Sequence, residues 1–298
     1  MKITAMNTQG ILLLLLAFLA SCKSSPESQK ASQLVDPESV VYQARDKEIL
    51  EKIFEMHKKD MKMPMPVLMV KVGRCFLETP YVAHTLETEE DEQLIVNLRE
   101  LDCTTFAENC LALARAIRSG DHSFQRFTTE LQTIRYRDGK IDGYPSRLHY
   151  FCDWIYSNEQ QKLVENSPNG LPMCIFRKEI NFMSMHPGSY RQLKEDSALV
   201  GVFAEQEKRI SSRDMFFVAE KDVAKVESQL MDGDIVGITT SIDGLAIQHV
   251  GILVRVNDRI HLMHASSSAE KVVLSDIPLE DYLLNSKSAT GIMLARPL

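Results

Sequence analysis

Cys103 lies in Leu101-Asp102-Cys103-Thr104-Thr105-Phe106, where an apolar run of helical spacing begins, so the spacing puts its thiol in a first helical turn. Free backbone N–H groups and the positive end of the helix dipole meet there. Both favour the thiolate, which is the nucleophilic form of cysteine. Asp102 suits the N-cap, since its carboxylate can accept from the unpaired N–H groups. About 145 residues later come Gln248-His249-Val250-Gly251-Ile252 and then Met263-His264-Ala265-Ser266. A thiol needs a base and the base needs an orienter, and His249 and His264 can fill those two places. Each residue alone has an ordinary explanation: a lone cysteine is commonly a buried apolar side chain, and a histidine on an apolar strand a satisfied core residue. Occurring together, they point to covalent catalysis. There is no CxxC pair and no His/Glu cluster with metal-ligand spacing, so no metal or other cofactor is called for.

The surrounding pattern indicates which elements hold these side chains. Apolar spacing predicts a helix over 37–60, a strand-like segment at 67–72 and a short strand at 93–98. The helix opening at Cys103 stripes Phe106, Ala107, Cys110, Leu111 and Ala114 on one face and stops at Ser119-Gly120. Helices are expected near 124–134 and 150–155, with polar helical stretches from Tyr190 and Phe203. The chain then turns β-rich, with strands at 215–218, 234–239, 246–254, 259–264, 271–274 and 291–295 and a helix at 279–284. Asn257-Asp258 between two apolar strands predicts a hairpin in which paired residue numbers sum to 515. His249 and His264 then project from one face as diagonal neighbours, and His261 from the other.

Length and composition bound the rest. Lys2, the apolar run 11–19 and Leu19-Ala20-Ser21-Cys22 resemble a lipoprotein signal, with Cys22 the lipidated residue; a plain secretory signal is the alternative. Residues 23–36 read as a flexible tether and 37–298 as a single catalytic domain, with 121–212 an elaboration between helix and sheet. The expectation is an exported bacterial lipoprotein of the cell envelope, touching membrane only through its anchor. A net charge of −7 with no basic run argues against nucleic acid. Beyond Cys22 the thiols are Cys75, Cys103, Cys110, Cys152 and Cys174, an odd set that leaves at least one unpaired. A monomer is expected.

Taken in order, Asp102-Cys103-Thr104-Thr105-Phe106, His249-Val250-Gly251-Ile252 and Met263-His264-Ala265-Ser266 resemble the motifs of NlpC-type cysteine peptidases. The wider pattern is similar to a branch described as N-acetylmuramoyl-L-alanine amidase-like. It includes Pro80-Tyr81, Leu98-Arg99-Glu100-Leu101, the segment from Tyr144 to Tyr150, Asn181-Phe182-Met183-Ser184 and Gly233-Asp234-Ile235-Val236. The resemblance implies an α+β, papain-like core with the nucleophile helix packed on an antiparallel sheet. It implies Cys103 as nucleophile, His249 as base, His264 as orienter, Tyr81 near the oxyanion, and Asp102 as cap and contact for a substrate amine. Arg147 and His149 could meet a muropeptide carboxylate or sugar, or lie on a solvated face. Thr104-Thr105 departs from the usual Ser-Gly, and the gap from cysteine to histidine is longer than in compact members. The implied substrate is peptidoglycan or a muropeptide, cut between N-acetylmuramic acid and L-alanine. Cleavage between D-glutamate and the diamino acid, or idle binding of wall fragments, stays open.

Overall fold

Strands with nearly unbroken apolar runs must be covered on both faces, and the C-terminal strands are. The computed structural model describes residues 35–298 apart from Ser167 and Asn169. The expected signal segment with Cys22, and tether residues 23–34, lie outside the described residues. Among the described residues no helix is long and apolar enough to cross a membrane.

The helices are α1 (Ala44–His57), α2 (Met65–Cys75), α3 (Cys103–Ser119), α4 (Phe124–Arg135), α5 (Phe151–Gln160), α6 (Phe182–Met185), α7 (Arg191–Glu195), α8 (Ala198–Ser211), α9 (Glu220–Val226) and α10 (Leu279–Leu284). The strands are β1 (Val40–Val41), β2 (Leu94–Ile95), β3 (Val164–Glu165), β4 (Cys174–Phe176), β5 (Met215–Ala219), β6 (Ile235–Thr240), β7 (Ile247–Val256), β8 (Arg259–Ser266), β9 (Lys271–Pro278) and β10 (Ala289–Pro297). Strands β1 and β2 form a small parallel pair. The main sheet runs β4-β5-β10-β6-β7-β8-β9, antiparallel throughout, with β3 pairing β10. The class is α+β with an antiparallel sheet, as the sequence implies.

Alternation along β7 divides the sheet between two cores. Val250, Ile252 and Val254 join Phe106, Ala107 and Cys110 of α3 in one. Leu253, with Leu262 of β8, joins Val223 and Val226 of α9 and Leu279 and Leu283 of α10 in the other. The β7–β8 turn has Asn257 at φ 48° and Asp258 at φ 67°, the two left-handed residues of a type I′ hairpin. That turn fixes the register, and every observed pair from Val256↔Arg259 to Ile252↔Met263 sums to 515. A register shift opposite Ile238/Thr239 makes Gln248 an extra, unpaired residue of β7. It lies on the far side of His249 from the turn, so the reading of the hairpin survives it.

The expected strand at 67–72 is a helix instead. Pro66 occupies the first turn of α2, where a missing N–H costs nothing, so the prolines start a helix rather than end one. Leu68, Met69 and Val72 are fully buried along one helical face. The expected helix over 37–60 is shorter, running only over α1, because Val40 and Val41 pair with Leu94 and Ile95.

Candidate active site

Helix α3 begins at Cys103, and its N-terminus is built by a reciprocal cap. The Thr105 N–H donates to Asp102 Oδ1 at 2.7 Å, while the Asp102 N–H donates to Thr105 Oγ1 at 2.9 Å. The approach segment runs alongside: Val82 N–H donates to the Leu101 carbonyl at 3.1 Å and Leu101 N–H to the Pro80 carbonyl at 3.0 Å. This places Tyr81 beside Asp102 and Cys103. Burial and those two neighbours raise its phenol pKa.

Beyond Ile252↔Met263 the strands β7 and β8 no longer pair. The Val250 backbone N–H is directed at the Cys103 sulfur. Across the opening, His249 Nε2 lies 2.7 Å from His264 Nδ1, the two rings perpendicular at 89°. His264 is buried, and the Tyr282 ring of α10 stands edge-on to it with centroids 5.4 Å apart. His261 faces the other way and bonds the Ser275 carbonyl through Nδ1 at 2.8 Å.

Cys103 and His249 border the same cavity, about 90 Å³ in volume, walled opposite by His149 to Cys152. Two larger spaces adjoin it through shared residues. One, about 310 Å³, continues from His249 past Tyr282 to Asn285 and Ser286. The other, about 150 Å³, continues from Thr104 and His149 to Asp102, Arg147 and His84. Together they border a groove with the thiol near its middle.

The electrostatics differ from the sequence expectation of a resting thiolate. Burial, then the Asp102 carboxylate, push the Cys103 thiol up to about 12, against the pull of the Val250 N–H and the Thr104 hydroxyl. Burial takes His249 down to about 4, and burial together with His249 takes His264 down to about 3. The free site therefore holds a neutral thiol and two neutral imidazoles. Desolvation outweighs the helix terminus.

The remaining expected residues fall around this centre. Half-buried His149 lines the thiol's cavity and is tied to the Tyr144 carbonyl at 2.9 Å. Arg147 is buried, not solvated: its guanidinium donates to Glu87 at 2.6 Å and to the Leu86 carbonyl at 3.0 Å, and lies over the Tyr144 ring. All five described cysteines are free. Tyr282 was not legible in the sequence, because it lies on a short helix with no motif and reaches the site only through packing. A second thiol–imidazole contact, Cys75 to His57, was also missed; it lies on α1 and α2, away from the groove.

A family described as AmiA-like, N-acetylmuramoyl-L-alanine amidase-like, matches residues 71–292. The chain belongs to that family. Solved structures resemble the chain over most of its length. An N-acetylmuramoyl-L-alanine amidase from Bacteroides uniformis is 37% identical, with 78% of this chain and 98% of that one covered and a TM-score of 0.75. A protein of Bacteroides fragilis provisionally named a xylanase is 39% identical, covering 76% and 99%, with a TM-score of 0.69. A Legionella pneumophila protein shares the fold at 20% identity, covering 85% and 95%, with a TM-score of 0.65. Among curated proteins none matches.

Proposed function

We propose that this amidase-like chain is a peptidoglycan hydrolase with a papain-like, NlpC-type centre, cutting the amide between N-acetylmuramic acid and L-alanine. The observation that carries the reading is that Cys103, at a helix start, and His249 line one cavity, with His249 held in turn by His264. The B. uniformis relative bears the name of that activity.

His249 uses Nε2 on His264, which leaves Nδ1 for the thiol. To accept a proton there, His249 must carry its hydrogen on Nε2 and donate it to His264 Nδ1. Both imidazoles are then neutral with fixed tautomers, and His264 is the orienter. As the Cys103 sulfur attacks the lactyl carbonyl, its proton passes to His249 Nδ1 and the carbonyl oxygen becomes an oxyanion. The Cys103 N–H, at the open end of α3, and the Tyr81 hydroxyl stabilise that charge. Collapse breaks the C–N bond, and His249 protonates the departing L-alanine amine. Water then attacks the thioester, giving its proton to His249 and releasing the muramic carboxylate and the thiol. Proton transfer coupled to attack suits a pair that rests neutral. Asp102 bonds Thr105 through Oδ1, and the cavity it borders can take the leaving amine.

A glycosidase reading, suggested by the name of the B. fragilis relative, needs two carboxyl groups flanking the bond. Asp102 serves as a cap and Glu108 is buried against Arg135, which argues against it. An exported lipoprotein anchored at Cys22 remains part of the proposal, since it would bring residues 37–298, as one domain with 121–212 elaborating it, to the wall.

Mass spectrometry of sacculi and defined muropeptides after digestion tests the bond. Disaccharide with a free muramic carboxylate, plus peptide beginning at L-alanine, is the expected product. A cut after D-glutamate would move the activity to the stem peptide and overturn the amidase assignment.

The pH dependence gives a second expected result. His249 acts only when neutral, so kcat/KM should stay level through the ordinary histidine range near about 6.5 and fall only as pH drops toward about 4. The limb belongs to the coupled imidazole pair rather than to one ring. A limb near 6.5, measured on a soluble muropeptide, would show the pair to be solvated during turnover and the buried arrangement wrong.

A further inference from the structure

A cavity of about 460 Å³ lies between α1 and α2, lined by none of the groove's residues. Three side chains with soft or borderline donor atoms meet at its wall. Cys75 Sγ lies 3.4 Å from His57 Nε2 and 3.8 Å from Met56 Sδ. The other nitrogen of His57 is 2.8 Å from Asp60 Oδ2, and that carboxylate is held in turn by Lys71 Nζ at 2.7 Å. The imidazole is thus oriented from behind, with Nε2 presented to the Cys75 sulfur.

The trio does not suit acyl transfer. Cys75 is the last residue of α2, at the negative end of that helix, and its thiol donates to the Lys71 carbonyl at 3.4 Å. Among the described residues no open helix start faces it, so an attacked carbonyl would find no oxyanion site there.

It does suit a soft cation. With a metal about 2.3 Å from each sulfur and about 2.0 Å from nitrogen, a trigonal site spaces nitrogen from sulfur by about 3.7 Å and sulfur from sulfur by about 4.0 Å. The two separations from Cys75, 3.4 Å to the nitrogen and 3.8 Å to the thioether, are within a few tenths of an ångström of these. A histidine ligand characteristically donates its other N–H to a carboxylate, the place Asp60 occupies. Among the described residues no three His, Cys, Asp or Glu side chains converge as a zinc site would need. The third donor here is a thioether, which selects cuprous ion. Charge separates the two valences: Arg45, Lys52, Lys71 and Arg74 border the cavity against one carboxylate, Glu48, so a monovalent ion neutralised by one thiolate adds no net charge where a divalent ion would. Met56 is 56% exposed, so apolar packing does not account for its placement beside the thiol.

We propose that Met56 Sδ, His57 Nε2 and Cys75 Sγ bind one cuprous ion, Cys75 releasing its proton to solvent on binding. The site is independent of the hydrolytic reading, and its test is a binding measurement. Anaerobic titration of the Cys103→Ala chain with cuprous ion against a bicinchoninate competitor should give one tight equivalent. Copper K-edge absorption should show two sulfur and one nitrogen scatterers. Adding Cys75→Ser should abolish the tight equivalent, and Met56→Leu, at an exposed position that leaves folding intact, should weaken it at least tenfold. Retention of full affinity in either variant, or no tight equivalent at all, would overturn the proposal.

Discussion

Cys103→Ala should leave the fold intact and lower kcat on a muropeptide by about 10⁴-fold or more. The side chain lost is small and half-buried at the head of α3. The cap depends on Asp102 and Thr105, and the imidazole pair on the β7–β8 hairpin, so neither loses a partner. What disappears is the atom that forms the thioester. His249→Ala should produce a loss of similar order, because no other described side chain pairs with both the thiol's cavity and His264. The double variant should be scarcely slower than either single one, since nucleophile and base act as a unit. Circular dichroism and a melting curve establish that the variants fold, and product formation by mass spectrometry measures the loss. Residual turnover above about one per cent in Cys103→Ala would remove the thiol from the mechanism.

The two halves of the site were unequally legible in the sequence. The Cys103 helix start was readable because a cap and an apolar stripe are local features. The hairpin was readable to the register, because Asn257-Asp258 fixes the turn and the turn fixes every pair after it. Where the strands stop pairing was not readable. That depends on α3 arriving beside Val250, a tertiary event. The protonation state was misjudged for the same reason: a helix start favours a thiolate, but the sheet and the segment from His149 to Cys152 desolvate the thiol more strongly than the terminus helps it.

Helix α2 shows a different failure. A short, mostly apolar run at 67–72, broken only by Lys71, fits a strand or a buried helix equally well, and periodicity cannot separate them. What decides is packing. A Cβ at Gly73 would lie 2.3 Å from Met263 Cε, so α2 sits against β8 as closely as a missing side chain permits. A strand at 67–72 gives no reason for Cys75 and His57 to meet. They stand 18 positions apart and meet only because α1 and α2 are neighbouring helices.

Beneath the groove lies a buried ion pair whose removal should have the largest effect on stability. Arg135 Nε donates to Glu108 Oε2 at 2.7 Å, each side chain only 2% exposed, and a further guanidinium N–H donates to the Ile95 carbonyl at 2.6 Å. Glu108 is on α3, five residues past Cys103, and Arg135 ends α4, so the pair joins the nucleophile helix to its neighbour. Burial already raises the Glu108 carboxyl pKa, with Arg135 the main restraint. Arg135→Met keeps most of the volume and strands the carboxylate, at a cost of about 3–5 kcal/mol near neutral pH. For a chain of this size that lowers Tm by on the order of 10 °C. In the variant the folded-state pKa of Glu108 rises well above its unfolded value. Below the unfolded value both states are protonated and the charge penalty is absent; above it the penalty grows until pH reaches the folded value. The stability deficit relative to the parent chain should therefore be smaller at pH 4 than at pH 7, as read from paired denaturant titrations. A deficit independent of pH would mean that Arg135 contributes packing alone. Adding Glu108→Leu to Arg135→Met should recover much of the loss, because the charge that made the cavity costly is gone.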